Sequence, residues 1–522
     1  VVADKVTDMA RIAVIGAGTG AMATAARLAV AGHRVAVWER GETYGGSLRR
    51  FERAGFGFDT GPGLLHLPAV QRDLFLKTGK EPLESVVDLV QVDPAARHVF
   101  PDGTDVTLPN ASRAGVIEAL DRALGAGAGE RWSELLGRAR EAWDRTRRPL
   151  LEEPLWSDWQ VLGREPYPAV GRKGLLKRRP ARTLAEVAAL ELKDPRLVAL
   201  LESHALAYGF DPRAAPASAT VLPYMEQTFG TWYVSGGMRA LATALYERCL
   251  ARKVEFAFGA EVRRLVRKDG RAAGIELADG RIEEADVVVA GVDPWTLAGL
   301  TADSPGAAGQ VRGAGDVLPP STPPSGRFSV LLALRGGRAP DAVHRTVVHA
   351  ADRAAELTAV FGDGGGLPQS PTVTVLRPDD PAQRPDDGHE AVTLTVTVPA
   401  HATGGTGGVD WTADGVAEGF ADRVVAAADA AVPGLRDRIL WREIRTPADT
   451  AADTGAAGGA VPGPALAGLD GRALVPANRT RIPGLYTAGG WSHPGGGLAH
   501  AGMSGALVAG LVVHGDDWHG SE

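Results

Sequence analysis

The chain has 522 residues, 44% of them hydrophobic and 23% charged, a composition that suits a globular protein with a large core and enough length for two domains. Its formal net charge of −7 argues against a nucleic-acid surface. A single cysteine, Cys249, excludes an intrachain disulfide and a cysteine metal cluster, and fits a reducing, intracellular setting.

Residues 1–8 precede Met9 and read as an extension with no part in the fold. Ile12 to Gly32 is apolar enough to mimic a signal peptide or a membrane span, but Arg27 interrupts it and its glycines cluster at one end. "RIAVIGAGTGAMATAARLAVAGHRVAVWER" reads instead as strand, turn, helix, strand. Ile12 to Ile15 has the character of a buried parallel strand. Gly16, Gly18 and Ala21 then follow the pattern G-x-G-x-x-(G/A). Gly16 permits the tight turn, Gly18 lets a pyrophosphate touch the backbone, and Ala21 allows helix–strand packing. The helix turns its N-terminus towards the phosphates. Glu39 ends the second strand, 23 residues after Gly16, where a carboxylate accepts both ribose hydroxyls. This unit predicts a dinucleotide site without deciding between NAD and FAD.

A second glycine pair, Gly45-Gly46, precedes Ser47 and the stretch "FDTGP". "VIEALDRAL" and "WSELLGRAREAWDR" have helical spacing. Trp156, Trp159 and Tyr167 then stand close to Lys173, Lys177, Arg178 and Arg179, a combination that suits an anionic membrane surface. "GTWYVSGGMRALATALYERCL" brings Trp232 and Tyr233 beside a Gly-Gly-Met segment and places Cys249 in a helix, as buried packing. The following stretch reads as a hairpin and return strand, with turns at "KDG" and "ADG". After the Pro-rich "LPPSTPPSGR", the runs "FSVLLAL", "RTVVHA", "TVTVLRP" and "AVTLTVTVP" read as strands of one sheet. His344, at the start of the second run, is not read as catalytic. Near the C-terminus, "GLYTAGGWSHPGGGLAHAGMSGALVAGLVV" is a strand, a glycine-rich junction and a small-residue helix. Glycines at that density cost backbone entropy, and the usual return is close approach to the main chain. The helix N-terminus at Gly497 to Gly502 favours negative charge. His493, His500 and Trp491 flank it, and Pro494 stiffens the loop before it.

With Glu39 followed by Gly45-Gly46, the central Gly236-Gly237-Met238 and the C-terminal His-Pro-Gly-Gly-Gly, the sequence resembles the bacterial phytoene desaturase and carotenoid isomerase family of amine-oxidase-like flavoproteins. The resemblance runs over almost the whole length. It implies an α/β fold, in which a Rossmann-type FAD-binding domain (9–90, 230–300 and 455–522) is interleaved with an α+β substrate domain (91–229 and 301–454). It implies FAD held by Gly16, Gly18, Gly20, Ala21, Glu39 and Arg40, then by Gly45, Gly46 and Ser47. Val262 would offer its backbone to the adenine. The flavin ring would lie against Gly489, Gly490, Gly496, Gly497 and Leu498. The family carries Gly-Gly-Arg where this chain has Gly45-Gly46-Ser47, so the charge would have to come from Arg49 or Arg50. The implied function is an FAD-dependent oxidoreductase, a desaturase or dehydrogenase that takes hydride from an apolar terpenoid or carotenoid-like small molecule and forms a C=C bond. His493 is the catalytic candidate, through a hydrogen bond to flavin or substrate. A cis–trans isomerase or saturase, an amine oxidase, and a lipid-binding protein like the GDP-dissociation inhibitors stay open as alternatives. The intact glycine and Glu39 set counts against the last. The expected location is cytoplasmic, with peripheral contact at the inner face of the membrane, since no segment has the length and apolarity to cross it. No metal-ligand spacing is present, and no motif names the electron acceptor.

Overall fold

The computed structural model describes residues 9–156, 158–169, 181–302, 325–362, 365–402, 408–515 and 518–520. Strand β1 (Arg11–Ile15) is buried at every position but the first. Ile12 and Val14 pack against helices, while Ala13 and Ile15 pack against a small antiparallel sheet, so neither face of the strand carries polar residues. Helix α1 (Thr19–Val30) and strand β2 (Arg34–Trp38) complete the first βαβ unit. Strands β3 (Glu255–Ala257), β4 (Val287–Ala290) and β5 (Leu485–Thr487) join it from distant parts of the chain. The five strands are parallel, in the order β3-β2-β1-β4-β5. The order reverses between β1 and β4, and a crevice at the carboxyl ends of such strands is where open α/β sheets bind ligands. The hairpin read at "KDG" and "ADG" is a three-stranded antiparallel sheet, Val262–Lys268, Arg271–Leu277 and Ile282–Glu284.

Helix α2 (Leu498–His514) crosses α1 at close range. A Cβ on Gly505 would sit 2.8 Å from the Ala23 Cβ, which is why this helix is built of small residues. Cys249 is fully buried nearby, its thiol 3.3 Å from the Met22 carbonyl oxygen.

A seven-stranded sheet forms the second layer. Its strands Gly326–Arg335, Arg345–Val348, Val373–Leu376 and His389–Val398 are the four read from the sequence. Ile439–Arg445 adds one edge. The other edge, Ala96–Val99 and Asp105–Leu108, comes from the segment expected to be helix-rich. One face of this sheet is apolar: Phe328, Val330, Leu332, Val392, Leu394 and Val396 pack on helix Val416–Ala428. Helices Arg113–Leu124, Ala128–Arg147, Pro195–Ala207 and Val221–Phe229 share a separate core.

Among the described residues, no helix is long and apolar enough to cross a membrane. Of the aromatics expected at a membrane surface, Tyr167 is buried while Trp156 and Trp159 are half-buried. Tyr167 donates its hydroxyl to Glu191 (2.7 Å), Trp159 packs over Gly471, and Trp156 packs on His519. Lys173, Lys177, Arg178 and Arg179 lie outside the described residues.

Candidate active site

A cavity of about 740 Å³ opens at the carboxyl ends of β1, β2 and β4 and extends to the second face of the seven-stranded sheet. The N-termini of α1 and α2 both border it, through Gly18 to Ala21 and Gly497 to Ala501. The first turn of each helix carries N–H groups with no intrahelical partner, so both ends favour an anion.

The βα turn is built as its sequence requires. Gly16 has φ +89° and donates its N–H to the Trp38 carbonyl (2.8 Å). Ala21 is buried and packs on Gly291, where a Cβ would lie 2.8 Å from the Ala21 Cβ. A Cβ on Gly18 would meet nothing within 4 Å and would point into open space. Glu39 borders the cavity; its Oε2 accepts from the Ala17 N–H (2.8 Å) and its Oε1 from the Gly41 N–H (2.7 Å). Those two bonds fix the carboxylate and leave each oxygen a lone pair. Gly45, Gly46, Ser47 and Val262 border the same space.

Several glycines serve the protein's own packing. A Cβ on Gly20 would lie 2.6 Å from the Gly489 Cα, one on Gly45 2.9 Å from the Leu48 carbonyl oxygen, and one on Gly496 1.9 Å from the Pro462 carbonyl oxygen. Gly490 is likewise closed by Pro462, at 2.9 Å. Gly489 and Gly497 differ, with open space or only side chains beyond 3.4 Å, and both border the cavity with Leu498. Arg40 borders it too, but its guanidinium donates to the Ala451 and Ala452 carbonyls (3.1 and 2.6 Å) at the end of helix Pro447–Thr454. Arg49 and Arg50 do not face the cavity. Arg49 donates to Gly46 and Asp453 carbonyls, and Arg50 to those of Gly236 and Ala382, so neither replaces the absent Gly-Gly-Arg arginine.

His493 is a correction to the sequence reading. It is fully buried and does not border the cavity. Its Nε2 donates to the Glu153 carbonyl (3.0 Å), and burial pulls it down to about 4, so it is a neutral tie between two remote segments. The histidines that do face the cavity are His66, His204, His344 and His500; burial lowers all four, His344 and His500 to about 4.

The family of flavin containing amine oxidoreductases matches residues 22–317 of this chain. The chain belongs to that family. It is 28% identical to the 4,4'-diapolycopene oxygenase of Methylomonas sp, over 97% of this chain and 98% of the relative. It is 30% identical to the hydroxyneurosporene desaturase of Rhodobacter capsulatus, over 95% and 96%. Among solved structures, an oxidoreductase from Methanosarcina mazei shares the fold, with a TM-score of 0.61 at 17% identity, over 95% of this chain and 99% of that one. This member of the family is an FAD-dependent oxidoreductase. Its residues fit the cofactor: an open cradle at Gly18, a fixed carboxylate at Glu39 and two helix N-termini on one cavity.

Sequence reasoning missed the polar groups of the deeper cavity. Burial pushes the Asp59 carboxyl up to about 6, against hydrogen bonds from the Met238 and Arg239 N–H groups. Glu226 pairs with Arg345 (2.6 Å), with His204 at 3.8 Å. Burial alone would raise the Glu226 carboxyl, but the positive charge of Arg345, with His204 and His66 beside it, outweighs burial and holds it at about 2. The Ser and Thr residues at alternate positions of the sheet strands were in plain view as a period-two pattern, but a period of two does not say which face meets a cavity.

Proposed function

We propose that this flavoenzyme dehydrogenates a long, largely apolar terpenoid chain and introduces a C=C bond. The observation that carries the reading is continuity: one cavity joins the nucleotide crevice at Gly18 and Glu39 to a chamber walled by Leu67, Leu206 and Leu376. Near-full-length relatives named as a hydroxyneurosporene desaturase and a zeta-carotene-forming phytoene desaturase support it. FAD supplies the two-electron acceptor. The protein's part is binding, orientation and exclusion of water. Leucine walls hold the chain by burial, at ~25 cal/mol per Å² of apolar surface. The N-terminus of α2 favours negative charge developing in the cavity. His500 and His344 stay neutral near pH 7, so they orient without placing charge against the chain.

The test is anaerobic mixing of the holoenzyme with neurosporene. Loss of oxidised-flavin absorbance, with a product of longer conjugation, is the expected result. Bleaching by alkyl amines and none by the polyene would replace this reading with an amine oxidase.

A further inference from the structure

Arg327 faces the cavity from strand Gly326–Arg335, directly opposite Thr397 in the sheet register. Next along the same face, Ser329 stands opposite Thr395, with 3.3 Å between their hydroxyl oxygens, and Thr374 follows on the neighbouring strand. Thr393 also borders the cavity. This wall of hydroxyls lies behind an apolar face of the same strands, so the choice is specific to the cavity side. A pure hydrocarbon gains nothing from such a wall, and leucine or valine at the same positions would bind it better.

The guanidinium is the stronger signal. It donates to the Gly326 carbonyl (3.1 Å) and the Ala207 carbonyl, and no carboxylate among the described residues pairs with it. Arg345, in the same cavity, has Glu226. A guanidinium offers five N–H donors, so donors remain. Arg327 is half-buried, and desolvation pulls its guanidinium down to about 10 with no counter-charge opposing the shift. A partly desolvated cation gains from a counter-charge, and a carboxylate matches the guanidinium fork with two parallel hydrogen bonds.

We propose that Arg327 binds the carboxylate end of an otherwise apolar substrate, with Ser329, Thr395 and Thr397 bordering that end. The inference rests on the reading above only in taking the cavity as the substrate site. The substrate class it names is the polyene or prenyl acid, an amphiphile whose charged end lies against the Arg327 wall of the cavity.

The probe pair is crocetin, a polyene dicarboxylic acid, and its dimethyl ester, titrated into the holoenzyme and followed by the shift in polyene absorbance. Wild type should bind the acid at least ~10-fold more tightly than the ester. Arg327→Gln keeps an amide donor for the neighbouring carbonyls and removes the charge; it should bind acid and ester alike, with its FAD content unchanged. Arg327→Lys should restore part of the preference. Equal binding of acid and ester by wild type would overturn the proposal, as would a preference that survives in Arg327→Gln. Loss of FAD from Arg327→Gln with the acid preference intact would assign the guanidinium to the cofactor. Should Arg327→Gln not fold, the wild-type ratio and the Arg327→Lys ratio still decide. Crocetin is conjugated from end to end and has no saturated bond to dehydrogenate, so its binding tests Arg327 alone; acid preference together with no bleaching by neurosporene would sink the dehydrogenation reading and leave this one standing.

Discussion

A Cβ on Gly18 meets nothing within 4 Å, whereas one on Gly496 lies 1.9 Å from the Pro462 carbonyl oxygen. Two glycines of similar appearance in the sequence therefore predict opposite phenotypes. Gly18 has φ −70° and ψ 164°, which a β-branched residue adopts without strain. Gly18→Val should fold with a near-native melting temperature and purify without flavin absorbance; a yellow Gly18→Val would remove the phosphate cradle. Gly496→Ala should instead lower stability by ~1–3 kcal/mol through overpacking. A melting temperature equal to wild type would show that the Pro462 contact yields freely. The Glu226–Arg345 pair gives a third case. Glu226→Gln leaves a nearly buried guanidinium without its charge partner, at a cost of ~3–5 kcal/mol in denaturant unfolding. The sign of the pH effect follows from a carboxyl lowered from 4.5 to about 2. Its stabilisation is full above pH 4.5 and is lost as pH falls from 4.5 through about 2. Glu226→Gln should flatten the acid limb of the stability profile over that window, and an unchanged limb would discount the pair.

At the scale of elements, α1 and α2 cross because Gly505 lets α2 reach Ala23 and the Thr24 N–H, both 2.8 Å from where a Cβ would be. Gly505→Leu should therefore push the two helices apart and lower both melting temperature and FAD retention, since both N-termini border the cavity. Retention of full flavin content in a destabilised Gly505→Leu would separate the crossing from the site. The βαβ unit was legible because strand, glycines, helix and acid are local and in order. The four middle strands of the large sheet were legible from their β-branched runs. The last two strands, Ala96–Val99 and Asp105–Leu108, were not, because four residues are too few for a period to declare itself. His493 misled for a different reason. It is next to the glycine junction in sequence, but its partner, Glu153, is 340 residues away, and no local pattern encodes such a contact. Arg327 was equally hidden, since an arginine at a strand start reads as solvent-exposed until the sheet's second face proves to wall a cavity.

On the scale of the whole molecule, the nucleotide crevice and the chamber come from different layers yet share one cavity. The first is set by residues 16–47 and 489–501, and the second by the sheet strands between 326 and 398. Damage to the two should therefore be separable. Thr374 is the sharpest place to divide them, because it lies on the cavity face between Val347 and Thr395 in the sheet register. Thr374→Trp adds a ring system with ~150–250 Å² of surface to the chamber and touches neither helix N-terminus. The variant should keep its FAD, and dithionite should still bleach the flavin. Neurosporene should no longer do so, because the polyene cannot reach the crevice through a filled chamber. Gly18→Val fails at the opposite end, losing the cofactor while the chamber stays open to crocetin. Wild-type bleaching by neurosporene in Thr374→Trp would mean that the substrate enters elsewhere, and the chamber would then be no part of its route to the crevice.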